Sequence, residues 1–148
     1  MNCRPVLPDD LDRVLDLVEG MFHDLGTSDT SGQWREDAAR RLLDQHVGTF
    51  VVTDDSGEVV AIAVGIVDQR LPSPRRPSGR IGYVEWLATH PDHRRRGAAR
   101  IATQALVAWF EDQEVAVVDV HASPGGDALY RALGFTDPKA TALRLNRG

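Results

Sequence analysis

Residues Val59 to Val67 read Val-Val-Ala-Ile-Ala-Val-Gly-Ile-Val, with no polar side chain on either face of an extended chain. A strand that is apolar on both faces must be covered on both. That places it near the centre of a sheet packed between helices. The run is far too short to cross a bilayer. The chain is therefore expected to build an α/β domain around this strand.

The flanking segments supply the layers. Residues 2 to 7 are expected to form a first strand, closed by Pro8. Leu11, Val14, Leu15, Val18, Met21, Phe22 and Leu25 recur at helical spacing, with Asp9 and Asp10 in the first turn and Gly26 as the stop. A polar loop over 26–32 leads to a second helix over about 33–45, presenting Trp34, Ala38, Leu42 and Leu43. Strands over 48–54 and 58–68 are joined by Asp54-Asp55-Ser56-Gly57, a hairpin turn. Pro72, Pro74 and Pro77 then break the chain before a strand over 80–89. A helix over 98–110 follows, with Ile101, Ala102, Ala105, Leu106 and Trp109 as its buried stripe. Next come a strand over 115–121, a turn at 122–126, a helix over 127–133 ended by Gly134, and a final strand over 141–146. The order β-α-α-β-β-β-α-β-α-β, without repeat or linker, predicts one mixed α/β domain over residues 1–148 with helices on both faces.

The formal net charge is −5, yet Arg94, Arg95, Arg96 and Arg100 crowd one short stretch. An acidic body with one basic turn argues against a nucleic-acid partner, which needs an extended basic face, and suits a small polyanion. Cys3 is the single cysteine and cannot form an internal disulfide. With no signal-peptide pattern and no apolar run long enough to span a membrane, a cytoplasmic location without membrane attachment is expected. The five histidines show no paired ligand spacing, so no metal is expected.

The arginine stretch sits where a strand turns into a helix. Thr89-His90-Pro91-Asp92-His93-Arg94-Arg95-Arg96-Gly97-Ala98-Ala99-Arg100-Ile101 follows the strand at 80–89 and opens the helix at 98. The first turn of a helix presents unsatisfied N–H groups and the positive end of the helix dipole, which together favour an anion. Gly97, Ala98 and Ala99 keep that approach small, and guanidinium forks suit phosphate oxygens. Cations at a helix start oppose its dipole unless an anion joins them. The turn is therefore expected to hold a pyrophosphate.

This order of elements resembles the GNAT superfamily of N-acetyltransferases over nearly the whole chain. Arg94-Arg95-Arg96-Gly97-Ala98-Ala99 is similar to the family's R/Q-x-x-G-x-G/A signature, and Leu129-Tyr130-Arg131-Ala132-Leu133-Gly134-Phe135 to its tyrosine-bearing helix followed by Gly-Phe. The resemblance implies a mostly antiparallel mixed sheet whose fourth and fifth strands splay apart around the pantetheine arm of acetyl-CoA. It implies backbone contacts to pantetheine from Leu87, Ala88 and Thr89, and N–H groups from Arg95, Arg96, Gly97, Ala98 and Ala99 on the pyrophosphate. Arg94 or Arg100 is expected on the 3′-phosphate side. Where many members carry an asparagine after the fifth strand, this chain has Ala122-Ser123, and Ser123 is the expected substitute.

The implied reaction is transfer of an acetyl group from acetyl-CoA to a primary amine of a small molecule or peptide. Tyr130 matches the family's general acid. A phenol near pKa 10 giving its proton to a thiolate near 8.5 faces a gap of roughly 2 kcal/mol. Glu85, an acid within an apolar strand, matches the place of a base or a water-holding carboxylate. Burial there is expected to raise its pKa unless an arginine pairs with it. His90, His121 and a bound water are the alternative bases. His23, Asp24, Asp29, Trp34 and Trp86 are candidates for recognising the acceptor. A non-catalytic acyl-CoA-binding module on the same fold is the alternative function, and a homodimer is compatible with either.

Overall fold

The structure is a computed structural model and describes residues 1–27 and 31–148. Five strands form one sheet in the order β1-β2-β3-β4-β5. They are β1 (Asn2–Pro5), β2 (Val47–Thr53), β3 (Val59–Gln69), β4 (Arg80–Thr89) and β5 (Val118–Val120). The first four are antiparallel to their neighbours, and β5 runs parallel to β4. The helices are α1 (Leu11–Asp24), α2 (Gln33–Arg41), α3 (Ala98–Asp112) and α4 (Asp127–Ala132). The expected α/β class, mixed sheet and two helical layers are all present.

The central run behaves as its composition requires. Every residue of β3 from Val59 to Gly65 is buried, and its side chains divide between two cores. Val59, Ile62 and Val64 pack with Val14, Leu15 and Val18 of α1. Val60, Ala61 and Ala63 pack with Ala102, Leu106 and Phe110 of α3 and with Tyr130 of α4. The hairpin between β2 and β3 is closed by the Asp54 carboxylate, which accepts from the N–H groups of Ser56 (2.9 Å) and Glu58 (3.0 Å).

Glycines set how closely α3 approaches. A Cβ on Gly48 of β2 would lie 2.5 Å from the Trp109 ring, one on Gly65 of β3 2.6 Å from Phe110, and one on Gly82 of β4 2.7 Å from Phe110. The three positions make a furrow across neighbouring strands into which the two aromatic rings sink. This explains a departure from the expected α3 stripe. Its buried residues are Ala98, Ala102, Thr103, Leu106 and Phe110, while Ile101, Ala105 and Trp109 are only half-buried.

Other boundaries differ at the edges. The first strand stops at Pro5 and the second helix at Arg41. The expected strand over 115–121 shrinks to Val118–Val120, although the Gly82 N–H still donates to the Val117 carbonyl at 2.9 Å. The expected final strand over 141–146 is not formed. A strand needs a neighbour to satisfy its backbone. Residues 136–148 instead run exposed, with Leu143 at 92% and Leu145 at 85% exposure.

Candidate active site

The pairing of β4 with β5 runs from Gly82–Val118 to Val84–Val120 and stops there. β4 continues to Thr89, paired only with β3 on its other side. From Glu85 onward its outer edge is therefore free, and the backbone groups on that edge face a cleft of about 1200 Å³. The splay expected of the fourth and fifth strands is present.

A bulge shapes this edge. Val64 pairs with Trp86 and Gly65 with Val84, leaving Glu85 as the extra residue on β4. An inserted residue re-aims the side chains after it. Before the bulge Val84 packs toward α3; beyond it Trp86 and Ala88 pack with α1 and Leu87 toward α3. Glu85 lines the cleft and is exposed, so the burial expected of it is not found. Among the described residues no arginine pairs with it.

The turn after β4 has an unusual backbone. A short 3-10 turn at Pro91–His93 leads to Arg94 in extended conformation (φ −68°, ψ 155°), then Arg95 at φ 63° and Gly97 at φ 82°. A left-handed conformation costs a non-glycine residue about 1–2 kcal/mol, so Arg95 is held there by its surroundings. Gly97 needs the freedom of glycine for φ alone, since a Cβ there would meet nothing within 4 Å. Left-handed residues in such a turn gather successive N–H groups into an anion-binding concavity. The open space in front of Gly97 leaves that concavity accessible.

The cleft brings together most of the residues singled out in the sequence. Leu87, Ala88, Thr89, Arg94, Arg95, Gly97, Ala98, Ala99, Arg100 and Ser123 all line it, as do Tyr130 and Glu85. Arg96 does not: its place in the turn carries it outside the lining. The alternative bases His90 and His121 also line the cleft. Of the residues expected to recognise the acceptor, His23, Asp24 and Trp86 line it. Trp34 instead packs edge-on against Phe22, with ring centroids 5.8 Å apart, and supports the wall from behind. Asp29 lies outside the described residues.

Tyr130 is 6% exposed, yet it reaches the cleft wall. Its ring stands edge-on to Phe135 at 5.3 Å, and a Cβ on Gly126 would come within 3.2 Å of it. Burial, with a smaller contribution from Tyr83, pushes its pKa up to about 12. Its hydroxyl has no hydrogen-bond partner among the described residues. Tyr83 stands beside His121, ring centroids 5.5 Å apart, and its pKa is raised first by burial and then by the charge of Glu85.

Sequence reading missed one cluster. His93 lies 3.7 Å from the Asp54 carboxylate of the β2–β3 turn, and its ring is 5.6 Å from that of His90. The contact ties the hairpin tip to the arginine turn, a long-range juxtaposition that no local spacing announces. No group of side chains able to hold a metal ion occurs among the described residues. No helix among them is long and apolar enough to cross a membrane.

The sequence pattern of the acetyltransferase (GNAT) family matches residues 12–135. Among solved structures, a GCN5-related N-acetyltransferase from Ralstonia eutropha JMP134 is 27% identical, with a TM-score of 0.82 over 97% of both chains. A predicted acetyltransferase from Clostridium acetobutylicum, solved with acetyl-CoA, is 21% identical, with a TM-score of 0.85 over 98% of this chain and 95% of that one. An aminoglycoside 6′-N-acetyltransferase from Acinetobacter haemolyticus is 17% identical, with a TM-score of 0.77 over 99% of each chain. The last two likenesses speak to the fold alone. No curated protein matches the sequence.

Proposed function

Because the chain belongs to the acetyltransferase (GNAT) family, an acyltransferase enzyme family, we propose that it moves the acetyl group of acetyl-CoA onto a primary amine of a small molecule or peptide. The observation that carries this reading is the free edge of β4 beyond Val84. It opens onto the same cleft as the arginine turn and Tyr130.

The residues present suit acetyl-CoA. An extended pantetheine arm can pair with Leu87, Ala88 and Thr89 as an added strand would. The N–H groups between Arg95 and Ala99 suit the pyrophosphate, and the Arg94 and Arg100 side chains suit the remaining phosphate. Arg96, outside the cleft, contributes its backbone alone. Ser123 supplies a hydroxyl at the far wall.

In the reaction the amine nitrogen attacks the thioester carbon, and a C–N bond forms as the C–S bond breaks. Glu85 takes the proton that the amine releases, directly or through a water. Its position on a bulge, exposed to the cleft, gives it access to both. Tyr130 meets the departing sulfur. With its pKa at about 12 against about 8.5 for a thiol, full proton transfer would run uphill by roughly 5 kcal/mol. Tyr130 therefore serves chiefly as a fixed hydrogen-bond donor to the sulfur as negative charge develops. Asp24, His23 and Trp86 face the acceptor, an arrangement that favours a cationic amine.

The test is a thiol-release assay with acetyl-CoA against a panel of amines, run beside melting curves with and without acetyl-CoA. Amine-dependent thiol release with a raised Tm is expected. A raised Tm with no release from any amine would favour a non-catalytic acyl-CoA-binding module.

A further inference from the structure

The ring of His93 carries a cost that packing alone does not explain. It sits between the tip of the β2–β3 hairpin and the arginine turn, and its Nδ1 is buried with no hydrogen-bond partner among the described residues. An orphaned buried nitrogen is destabilising, and an apolar ring of similar shape would avoid it. What an imidazole adds to such a ring is its other nitrogen. Nε2 lies 3.7 Å from Oδ2 of Asp54.

Asp54 is a fixed stop for that contact. Its Oδ1 accepts from the Ser56 N–H (2.9 Å), the Ser56 hydroxyl (2.6 Å) and the Glu58 N–H (3.0 Å). Three bonds on one oxygen hold the carboxylate to the hairpin and leave Oδ2 to His93. The backbone under the ring is anchored as well. The His93 N–H donates to the His90 carbonyl at 2.9 Å, and the His90 N–H to the Val60 carbonyl of β3 at 2.8 Å.

Beyond His93 this support ends. Among the described residues, the N–H groups of Arg94, Arg95, Arg96 and Gly97 donate to no protein group, and backbone bonding resumes where Ile101 donates to the Gly97 carbonyl. The same stretch holds the left-handed Arg95 and Gly97. It is free to receive an anion and equally free to relax, because strained backbone persists only where its surroundings fix it.

We propose, on the reading that acetyl-CoA binds at this turn, that His93 held by Asp54 is a positioning residue for the phosphate. It fixes the end of the turn from which the free N–H groups converge. A turn fixed before the ligand arrives spares the cost of ordering it on binding. One that is competent only part of the time weakens binding by that fraction. His93 acts through the backbone that follows it, so its effect falls on acetyl-CoA binding and not on the steps at Glu85 and Tyr130.

Calorimetric titration with acetyl-CoA and melting of the unliganded chain test this together. His93→Phe removes the orphaned nitrogen, so its Tm should be unchanged or raised, while acetyl-CoA binding weakens about five- to thirtyfold. The KM for acetyl-CoA should rise in step, with kcat at saturation unchanged. His93→Gln, whose amide nitrogen can take the place of Nε2, should restore most of the affinity. Asp54→Asn keeps an oxygen for the hairpin bonds. It should weaken binding by itself, yet cost little more when added to His93→Phe. Fully additive losses would overturn the proposal, since each residue would then act alone. A Tm that falls with the affinity in His93→Phe, without recovery in His93→Gln, would reduce the ring to packing and overturn it too. If the parent chain binds no acetyl-CoA, the proposed site falls and this role with it. A parent that binds, beside a His93→Phe variant that binds equally well, overturns the role alone.

Discussion

The guanidinium of Arg94 lies 3.0 Å from the carboxylate of Asp24, joining the arginine turn to the last residue of α1. Both side chains are about half exposed, so the pair contributes about 0–1 kcal/mol to stability. Its interest lies in competition. On the proposed reading, a cofactor phosphate and the Asp24 carboxylate both seek Arg94, and the carboxylate also repels a polyanion.

Asp24→Asn should therefore tighten acetyl-CoA binding. The gain should stay within about fivefold, the limit set by a half-exposed pair, and should shrink as salt is added. Calorimetric titration at two ionic strengths reads both effects. Weaker binding in the variant would instead mean that Asp24 holds Arg94 in place for the phosphate.

At Gly97 charge can be separated from conformation. Asparagine and aspartate both tolerate the left-handed region and have nearly the same size. Gly97→Asn should keep most of the affinity for acetyl-CoA. Gly97→Asp should lose at least tenfold more, about 1.4 kcal/mol, by facing phosphate with a carboxylate. Equal losses in the two variants would move the phosphate away from this turn.

Tyr130→Phe should lower kcat by about 10²–10³-fold, the loss of one preorganised donor, and leave acetyl-CoA affinity and the neutral-pH Tm near those of the parent. Removing a hydroxyl that has no protein partner orphans no other group. A linked effect is expected in alkali. The folded pKa of Tyr130 is raised from 10.0 to about 12, so in that window the native state binds more protons than the unfolded one. Stability is then fully present below pH 10 and falls as pH rises toward 12, by up to roughly 2–3 kcal/mol. Tyr83 adds to the same slope, its pKa being raised as well. Urea titrations at pH 8 and pH 11 should show a smaller loss in Tyr130→Phe than in the parent.

Glu85→Gln should depress kcat/KM at neutral pH, with partial recovery as rising pH supplies more neutral amine. Because Glu85 is exposed and unpaired among the described residues, its Tm should hardly change. A clear loss of Tm with an unchanged pH–rate profile would assign Glu85 to structure.

The furrow under α3 gives a stability test remote from the cleft. Gly65→Ala places a methyl group 2.6 Å from Phe110 and should cost about 1–3 kcal/mol by overpacking. Adding Phe110→Leu should recover part of that loss, because the ring is the nearest obstacle, with Leu106 Cδ1 next at 2.8 Å. A neutral Gly65→Ala would show that α3 can rise off the sheet without cost.

What could be read from the sequence was local. The central strand, both amphipathic helices and the arginine turn declared themselves through runs, periods and turn residues, because each is fixed by its own side chains. Glu85 illustrates the limit. Its apolar neighbours suggest burial, but a bulge set by the register of β3 and β4 turns it to the cleft. The α3 stripe slipped because Trp109 and Phe110 are placed by glycines on three strands far away in sequence. Arg96 left the cleft because backbone dihedrals on either side of it aim the turn. The expected strand over 141–146 did not form, because a sequence that suits a strand cannot say whether a neighbour is present to pair with it.

Along the free edge of β4 and the first turn of α3, the groups offered to a ligand are N–H and C=O, and every residue type except proline carries both. Replacing Leu87 or Thr89 changes a side chain and leaves those groups in place. The α1 side, with His23 and Asp24, offers only what its side chains provide. The cleft is thus divided into a half whose chemistry survives substitution and a half that each substitution rewrites. On the proposed reading, a chain built this way changes what it acts on without having to reinvent how it is supplied.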